Sequence, residues 1–393
     1  MELHHTLPFS SIEFCYYALI VIFLMLIGKY MLSRYLPYKV LLAISSISFF
    51  ALLFPKPWHF LGLISYLYLA TLGLRKYYKS SNIIFPMLLL ALPMFFMKSF
   101  NIIENEEKVR FIINMKNIFQ VAGMSYVVFK VISLYIDERN NKSKISPIDF
   151  FNYTSFVPTW LIGPLDRYKR FQSDVENGYQ NINYAFYSKG WNNLLIGLLF
   201  KFMIAEAIRR LLLAHLVDDG SFIYHASYAY TYLFYLFFDF AGYSLLAIAF
   251  GYFIGIQVPT NFDKPFLAVN PKEFWKKWHK SLGDWLGDYF FKPIFKDLTS
   301  RKIFTSIQRQ NIALFLTFSL MGFWNGFELH YIASGMLFGL YSTVHNYYIY
   351  RCKKNKRDVV FSSLPTFAVK IISIILMLNS VAFAIYIFSG NLF

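Results

Sequence analysis

The chain has 393 residues, of which 57% are hydrophobic and only 15% charged, with a mean hydropathy of +0.43. A soluble domain carries about 25% charged residues, so the composition argues against a soluble enzyme and for a polytopic membrane protein. The net charge of +16 is concentrated in short loops between apolar runs. That pattern fits cytoplasmic loops and contact with the anionic bilayer surface, not nucleic acid as a partner.

A helix needs about 20 apolar residues to cross the hydrocarbon core. Apolar runs occur at 12–33, 39–54, 59–74, 83–99, 118–136, 148–163, 191–213, 222–238, 240–257, 311–327, 329–350 and 367–389. The first has Glu13 at its start and Lys29 and Arg34 at or beyond its end, and reads as a retained span, not a cleaved signal. Several runs are short. The expectation is an all-α protein with about 11 transmembrane helices plus interfacial or re-entrant helices, in one membrane domain over 1–393. Three basic groups mark cytoplasmic loops: Arg75, Lys76 and Lys79; Arg167, Lys169 and Arg170; and the run Arg351, Lys353, Lys354, Lys356 and Arg357. The acidic stretch with Glu104, Glu106 and Glu107 marks the outer side. Cys15 and Cys352 form no CxxC pattern and imply no disulfide framework. No His/Asp/Glu set has metal-ligand spacing, so no metal is expected.

Two places break the hydropathy pattern. Pro158 and the Gly163-Pro164 pair interrupt the 148–163 run just before Asp166-Arg167, which predicts a broken helix. Asp239 stands alone in the apolar FYLFFDFAGYS. A carboxylate at membrane depth needs a partner or water. One reading is a structural bond to a neighbouring helix or to an Arg or Lys; the other is a direct functional role.

The most informative stretch is 274–291, FWKKWHKSLGDWLGDYFF. Its lysines, aspartates and histidine exclude an ordinary span, because each charge at the bilayer centre costs roughly 2.5–3.5 kcal/mol on insertion scales. Trp275, Trp278, Leu282 and Trp285 fall at helical spacing, with Lys272, Lys276, Lys280 and Asp284 on another face. An amphipathic helix follows, starting at Pro271 and bounded by Lys292-Pro293, with His279 beside the aromatic stripe. The plainer alternative is an interfacial helix with snorkelling lysines.

Five blocks occur in order: FVPTWLIGPLDRYKRF (156–171), FFDFAGYS (237–244), NFDKPF (261–266), PKEFWKKWHKSLGDWLGDYFFKPIF (271–295) and MGFWNG (321–326). Together they resemble the membrane-bound O-acyltransferase family, and within it the branch that transfers D-alanyl groups in teichoic acid modification. The resemblance covers about the last two thirds of the chain, with its motif core at about 150–350. It implies a ring of helices around a central tunnel in a bacterial cytoplasmic membrane. It implies as donor a phosphopantetheine thioester on a small acidic carrier protein, docking from the cytoplasmic side, with no cofactor bound by the chain itself. The acceptor would be an envelope polymer such as teichoic acid, or a small membrane protein that relays the group. On this resemblance the WHKSL segment reaches the tunnel, which makes His279 and the position of Asn325 the catalytic candidates, and Trp275, Trp278, Ser281, Trp285, Asp239 and Trp324 line the tunnel or bind the donor.

The resemblance fails at one position. Family members of this type read W-H-G where this chain reads Trp324-Asn325-Gly326, and that histidine is the one taken as catalytic. An imidazole can accept a hydroxyl proton near pH 7, which an amide cannot; Asn325 can still donate a hydrogen bond to an oxyanion. His279 is the best replacement base. On a continuous helix His330 would sit about 140° round from Asn325, and His345 about 30 Å along it. His59, His215 and His225 lie outside the matched blocks and read as structural, and His4 and His5 lie near the terminus. Three readings follow: a working acyltransferase in which His279, or the acceptor's own chemistry, supplies the proton transfer; an inactive His-to-Asn variant; and a non-enzymatic membrane partner or conduit. A secondary transporter is the alternative from another class; broken helices and Asp239 would suit it, but no inverted repeat is visible.

Overall fold

The computed structural model describes residues 12–53, 57–80, 83–99, 123–141, 144–160, 163–358 and 363–392. Among the described residues all regular structure is helical, with no strand. The acidic stretch at Glu104, Glu106 and Glu107, and His4 and His5, lie outside them. The chain divides into two compact units: residues 1–198 with 242–259, and residues 199–241 with 260–393.

The first unit is built from α1 (Ile12–Ile27, extended by a wide π-type turn Gly28–Leu32), α2 (Tyr38–Leu52), α3 (Pro57–Tyr77), α4 (Ile84–Ser99), α5 (Met124–Asn141), α6 (Pro147–Thr154), α7 (Tyr168–Asn177) and α8 (Tyr184–Leu198). The end of α9 (Phe222–Phe253) also belongs to it. The local sequence explains the boundaries. Ser146 caps α6, accepting from the Asp149 amide, with Pro147 in the first turn, where its missing N–H is no loss. The helix stops at Thr154 and is followed by a single 3-10 turn at Val157–Thr159, the break predicted from Pro158. Lys130 of α5 is buried beside this break. It donates to the Tyr153 carbonyl at 3.2 Å and to Thr159 Oγ1 at 2.9 Å, with its ammonium 5.6 Å from the Tyr153 ring centroid. Just beyond, Arg170 holds Asp166 (Nε to Oδ1, 2.5 Å) and Asp174 (2.7 Å), while Asp174 accepts the Gln257 amide at 2.8 Å. One residue of a predicted basic loop is thus committed to internal ion pairs.

The second unit opens with wide helical turns at Leu199–Ala205 and Ile208–Leu212 and takes the first part of α9. It continues with α10 (Pro271–Lys277), α11 (Lys280–Leu286), a π turn Gly287–Phe291, α12 (Lys292–Arg301), α13 (Ser306–Asn325), α14 (Leu329–Lys354) and α15 (Thr366–Ser389). A capping box starts α13: Thr305 accepts from the Gln308 amide and Gln308 returns to the Thr305 N–H. The hairpin of α13 and α14 closes on glycine. A Cβ on Gly335 would lie 2.7 Å from Gly322 Cα and from the Phe318 carbonyl, and one on Gly322 would lie 2.5 Å from the Tyr331 carbonyl. Small residues let two backbones meet in this way within a membrane. Asn346 Nδ2 donates to Asn311 Oδ1 at 2.6 Å between the same helices, and Ser334 donates to the Ala384 carbonyl of α15 at 2.8 Å.

Among the described residues three helices are long and apolar enough to cross a membrane: Glu13–Leu32, Phe222–Phe253 and Thr366–Ser389. Tyr38–Leu52 and Ile84–Phe96 are shorter apolar helices. One correction concerns α9. The runs 222–238 and 240–257 were expected as two elements but form one helix. Between them the sequence holds no proline and no capping signal, only Asp239, and its charge is compensated. Lys201 donates to Asp239 Oδ1 at 2.6 Å, with the two side chains 7% and 18% exposed. This is the structural partner that the lone carboxylate required.

The crowding at Gly335 leads to a stability prediction. Gly335→Val forces branched carbons against the α13 backbone and should lower the melting temperature of detergent-solubilised protein, at a cost of about 1–3 kcal/mol or more. Gly62→Ala in α3, where a Cβ meets nothing within 4 Å, should be neutral or stabilise the protein by about 0.5–1 kcal/mol.

Candidate active site

The segment from Asn270 to Leu286 begins as the sequence predicts. The Asn270 side chain caps α10, accepting from the Glu273 amide at 2.9 Å, and Glu273 Oε2 accepts the Val269 amide at 3.1 Å. A continuous amphipathic helix does not follow. It ends at Lys277, Trp278 is extended, and His279 takes the left-handed conformation (φ 44°, ψ 47°) before α11 starts at Lys280. For a residue other than glycine that backbone costs roughly 1–2 kcal/mol, so something outside the helix must compensate. The segment 261–263 does. Asp263 N–H donates to the Lys277 carbonyl at 2.9 Å, and the Asn261 carbonyl accepts from Lys280 N–H at 2.8 Å. The His279 carbonyl then accepts from Leu282 and Gly283, starting the next helix.

The side chains tighten the same knot. Asn261 Oδ1 lies 3.0 Å from His279 Nδ1 and accepts from Ser281 Oγ at 2.7 Å. An amide oxygen only accepts, so with the Asn261 amide in this orientation His279 carries its proton on Nδ1, which puts the ring lone pair on Nε2. Phe240 meets the imidazole edge to face, with centroids 4.7 Å apart and planes at 90°. His279 is 8% exposed, and burial lowers its pKa from 6.5 to about 3. At neutral pH the ring is therefore an uncharged imidazole of fixed tautomer, the form a general base requires.

The kink distributes the three tryptophans, so they do not form one stripe. Trp278 packs among Phe237, Phe262, Phe266 and Phe274, with centroids 5.3–6.2 Å away. Trp275 packs on Phe318 of α13 and Phe338 of α14, and its buried indole N–H has no acceptor among the described residues. Trp285 is fully buried against Tyr289 and Phe290. The structure thus gathers His279, Ser281 and Trp278 around Asn261 and Phe240. Asp239, next to Phe240 in sequence, pairs with Lys201.

Trp324, half-buried, and Asn325, exposed, end α13. Seven residues separate Asn325 from Phe318, roughly 10 Å along the helix from the Trp275 contact. Asn325 Nδ2 donates back to the Met321 carbonyl at 2.9 Å. The chain turns at Gly326 and starts α14 at Leu329. His330 is therefore on a different helix from Asn325, not about 140° round the same one as expected; its ring lies tilted at 50° against Tyr331, with centroids 4.0 Å apart. His225 Nδ1 pairs with the Tyr386 hydroxyl at 2.7 Å.

Sequence reading missed Asn261 and Lys201. Asn261 opens the NFDKPF block, and an amide followed by turn-forming residues just before a polar aromatic segment was the available signal. Lys201 is a lone lysine within the apolar LLIGLLFKFMIA, the charge complement of Asp239.

Comparison with known proteins bears out the family resemblance. A family model described as MBOAT, membrane-bound O-acyltransferase family, matches residues 41–388. Over 70% of its length the chain is 35% identical to a teichoic acid D-alanyltransferase of Bacillus subtilis (strain 168), covering 70% of that protein. It is 29% identical over its whole length to a teichoic acid D-alanyltransferase of Streptococcus thermophilus, covering 97% of it. Over 53% of the chain it is 32% identical to a peptidoglycan O-acetyltransferase of Helicobacter pylori, covering 39% of that protein.

The neutral, buried ring has a consequence for stability. The folded state resists protonation at His279 while the unfolded chain accepts a proton near the ordinary 6.5. Stability must then fall as pH drops through 6.5 and keep falling until about 3, by up to about 1.4 kcal/mol per pH unit. His279→Gln should unfold with a shallower loss of melting temperature between pH 7 and pH 5 than the parent protein.

Proposed function

Because the chain belongs to the membrane-bound O-acyltransferase family, we propose that it transfers an acyl group, D-alanyl by analogy with the relatives named above, to a hydroxyl of a cell-envelope acceptor such as teichoic acid. The donor in this reading is a phosphopantetheine thioester on a small acidic carrier protein. The exposed basic end of α14 with Arg351, Lys353, Lys354, Lys356 and Arg357 supports carrier docking by charge complementarity. The setting is a bacterial cytoplasmic membrane, with the remaining apolar runs completing about 11 spans.

The observation that carries the proposal is the 3.0 Å contact between His279 Nδ1 and Asn261 Oδ1, which assigns the acceptor role to Nε2. The acceptor hydroxyl gives its proton to Nε2 as its oxygen attacks the thioester carbonyl. The C–S bond then breaks, and the thiolate recovers the proton from the imidazolium, leaving an ester and a free thiol. Burial makes the ring a weak base as well as a neutral one, so the imidazolium needs stabilising as it forms. Asn261 Oδ1 faces Nδ1–H for this role. Ser281 Oγ, bound to the same oxygen, holds the amide in place. Asn325 orients substrate in this account and takes no proton.

A second reading is favoured by the hydrogen bond from Asn325 to Met321: the family histidine has been replaced by a residue occupied with its own helix, leaving the fold without transfer activity. One assay separates the two. Purified protein in proteoliposomes is given a D-alanyl thioester on a carrier protein together with an acceptor polymer, and ester formation is followed. The His279 reading expects turnover by the parent chain, a loss of about 10²–10⁴-fold in His279→Ala, and no comparable gain in Asn325→His. No turnover by the parent chain with turnover by Asn325→His would establish the second reading, and full activity in His279→Ala would remove His279 from the chemistry.

A further inference from the structure

In the first unit a cavity of about 650 Å³ opens beside the end of α1, walled by that turn, the start of α2, and α7 with the turn after it. Its volume falls within the range of small-ligand sites, about 300–1,000 Å³. The walls are built. Lys29 donates to the Ile182 carbonyl, Tyr179 to the Leu36 carbonyl at 3.1 Å and Tyr38 to the Ile254 carbonyl at 2.6 Å, and the two tyrosine rings meet edge to face at 5.4 Å. Gly178 has φ 49°, and a Cβ there would lie 2.8 Å from Tyr38, so the backbone approaches as closely as a glycine permits.

The lining mixes polar and apolar surface and carries two lysines. Lys29 and Lys39 share it with Glu176, which accepts from Gln172 at 3.1 Å. The side chains of Lys39, Ser33, Asn177 and Gln180 make no hydrogen bond among the described residues, so donors for a ligand are present. The position along the chain limits what that ligand is. One wall is the last turn of the candidate span Glu13–Leu32, and Tyr30, Met31 and Tyr35 around it are 72–79% exposed, the aromatic and apolar dressing of a membrane–water interface. We propose that this cavity binds the phosphodiester headgroup of an anionic, hydroxyl-bearing lipid of the phosphatidylglycerol type. Lys29 and Lys39 take the phosphate oxygens. Glu176, Asn177 and Gln180 take the headgroup hydroxyls, which gives a carboxylate a function in an otherwise cationic site.

The test is calorimetric titration of the purified full-length protein in neutral detergent with short-chain phosphatidylglycerol. Phosphatidylcholine of the same chain length and soluble glycerophosphoglycerol serve as the comparison ligands. The proposal expects saturable binding of phosphatidylglycerol at least five-fold tighter than phosphatidylcholine. Lys39→Gln, at an exposed position, should weaken it roughly five-fold, the factor for one lysine beside an anionic headgroup. Ser33→Tyr, which fills the cavity, should abolish it, while Lys353→Gln, outside the cavity lining, leaves it unchanged. Equal binding of the two lipids, or equal effects of Lys39→Gln and Lys353→Gln, would overturn the proposal. Binding of glycerophosphoglycerol as tight as that of the lipid would overturn the assignment to the bilayer.

Discussion

The grip of Asn261 on the kink at His279 is the constraint on which the candidate site depends. A left-handed histidine between two short helices is strained, and an imidazole shielded from water is desolvated; neither would persist alone. Asn261 offsets both, because its backbone carbonyl binds Lys280 on the far side of the kink and its side-chain oxygen binds Nδ1 and the Ser281 hydroxyl. The aromatic shell of Phe240, Phe262 and Trp278 then excludes water from a group already hydrogen-bonded.

Other polar groups in apolar surroundings follow the same logic. Lys201 answers Asp239 across 38 residues of chain. Lys130 is held by a carbonyl, a hydroxyl and an aromatic face, and Arg170 closes on Asp166 and Asp174, the second of which holds the Gln257 amide directly and Gly255 through Asn181. In a low-dielectric interior an unsatisfied polar group is costly. Each such residue is therefore informative, whether it supports the fold or the chemistry.

These partnerships mark the limit of what sequence could show. The membrane class, the break near Pro158, the start at Pro271 and the need of Asp239 for a partner were legible, because composition, proline geometry and the cost of a buried charge are local properties. The kink at His279 was not. Helical spacing of Trp275, Trp278, Leu282 and Trp285 argued for one helix, and the interaction that defeats this periodicity comes from Asn261, 18 residues upstream of His279. The opposite error occurred at Asp239, where a charge suggested a boundary between two spans and an ion pair lets one helix continue. The family motif pointed to His279 by type and order but could not supply its protonation or its tautomer.

The central claim is that His279 is a neutral imidazole with its proton on Nδ1 and its lone pair on Nε2. Nitrogen-15 NMR of the histidine-labelled protein in nanodiscs, with the resonance assigned by its loss in His279→Gln, tests this directly. The account predicts a protonated Nδ1 and an unprotonated, imine-type Nε2 whose shifts stay constant from pH 8 to pH 5. An imidazolium at pH 7, or a proton on Nε2, would contradict it.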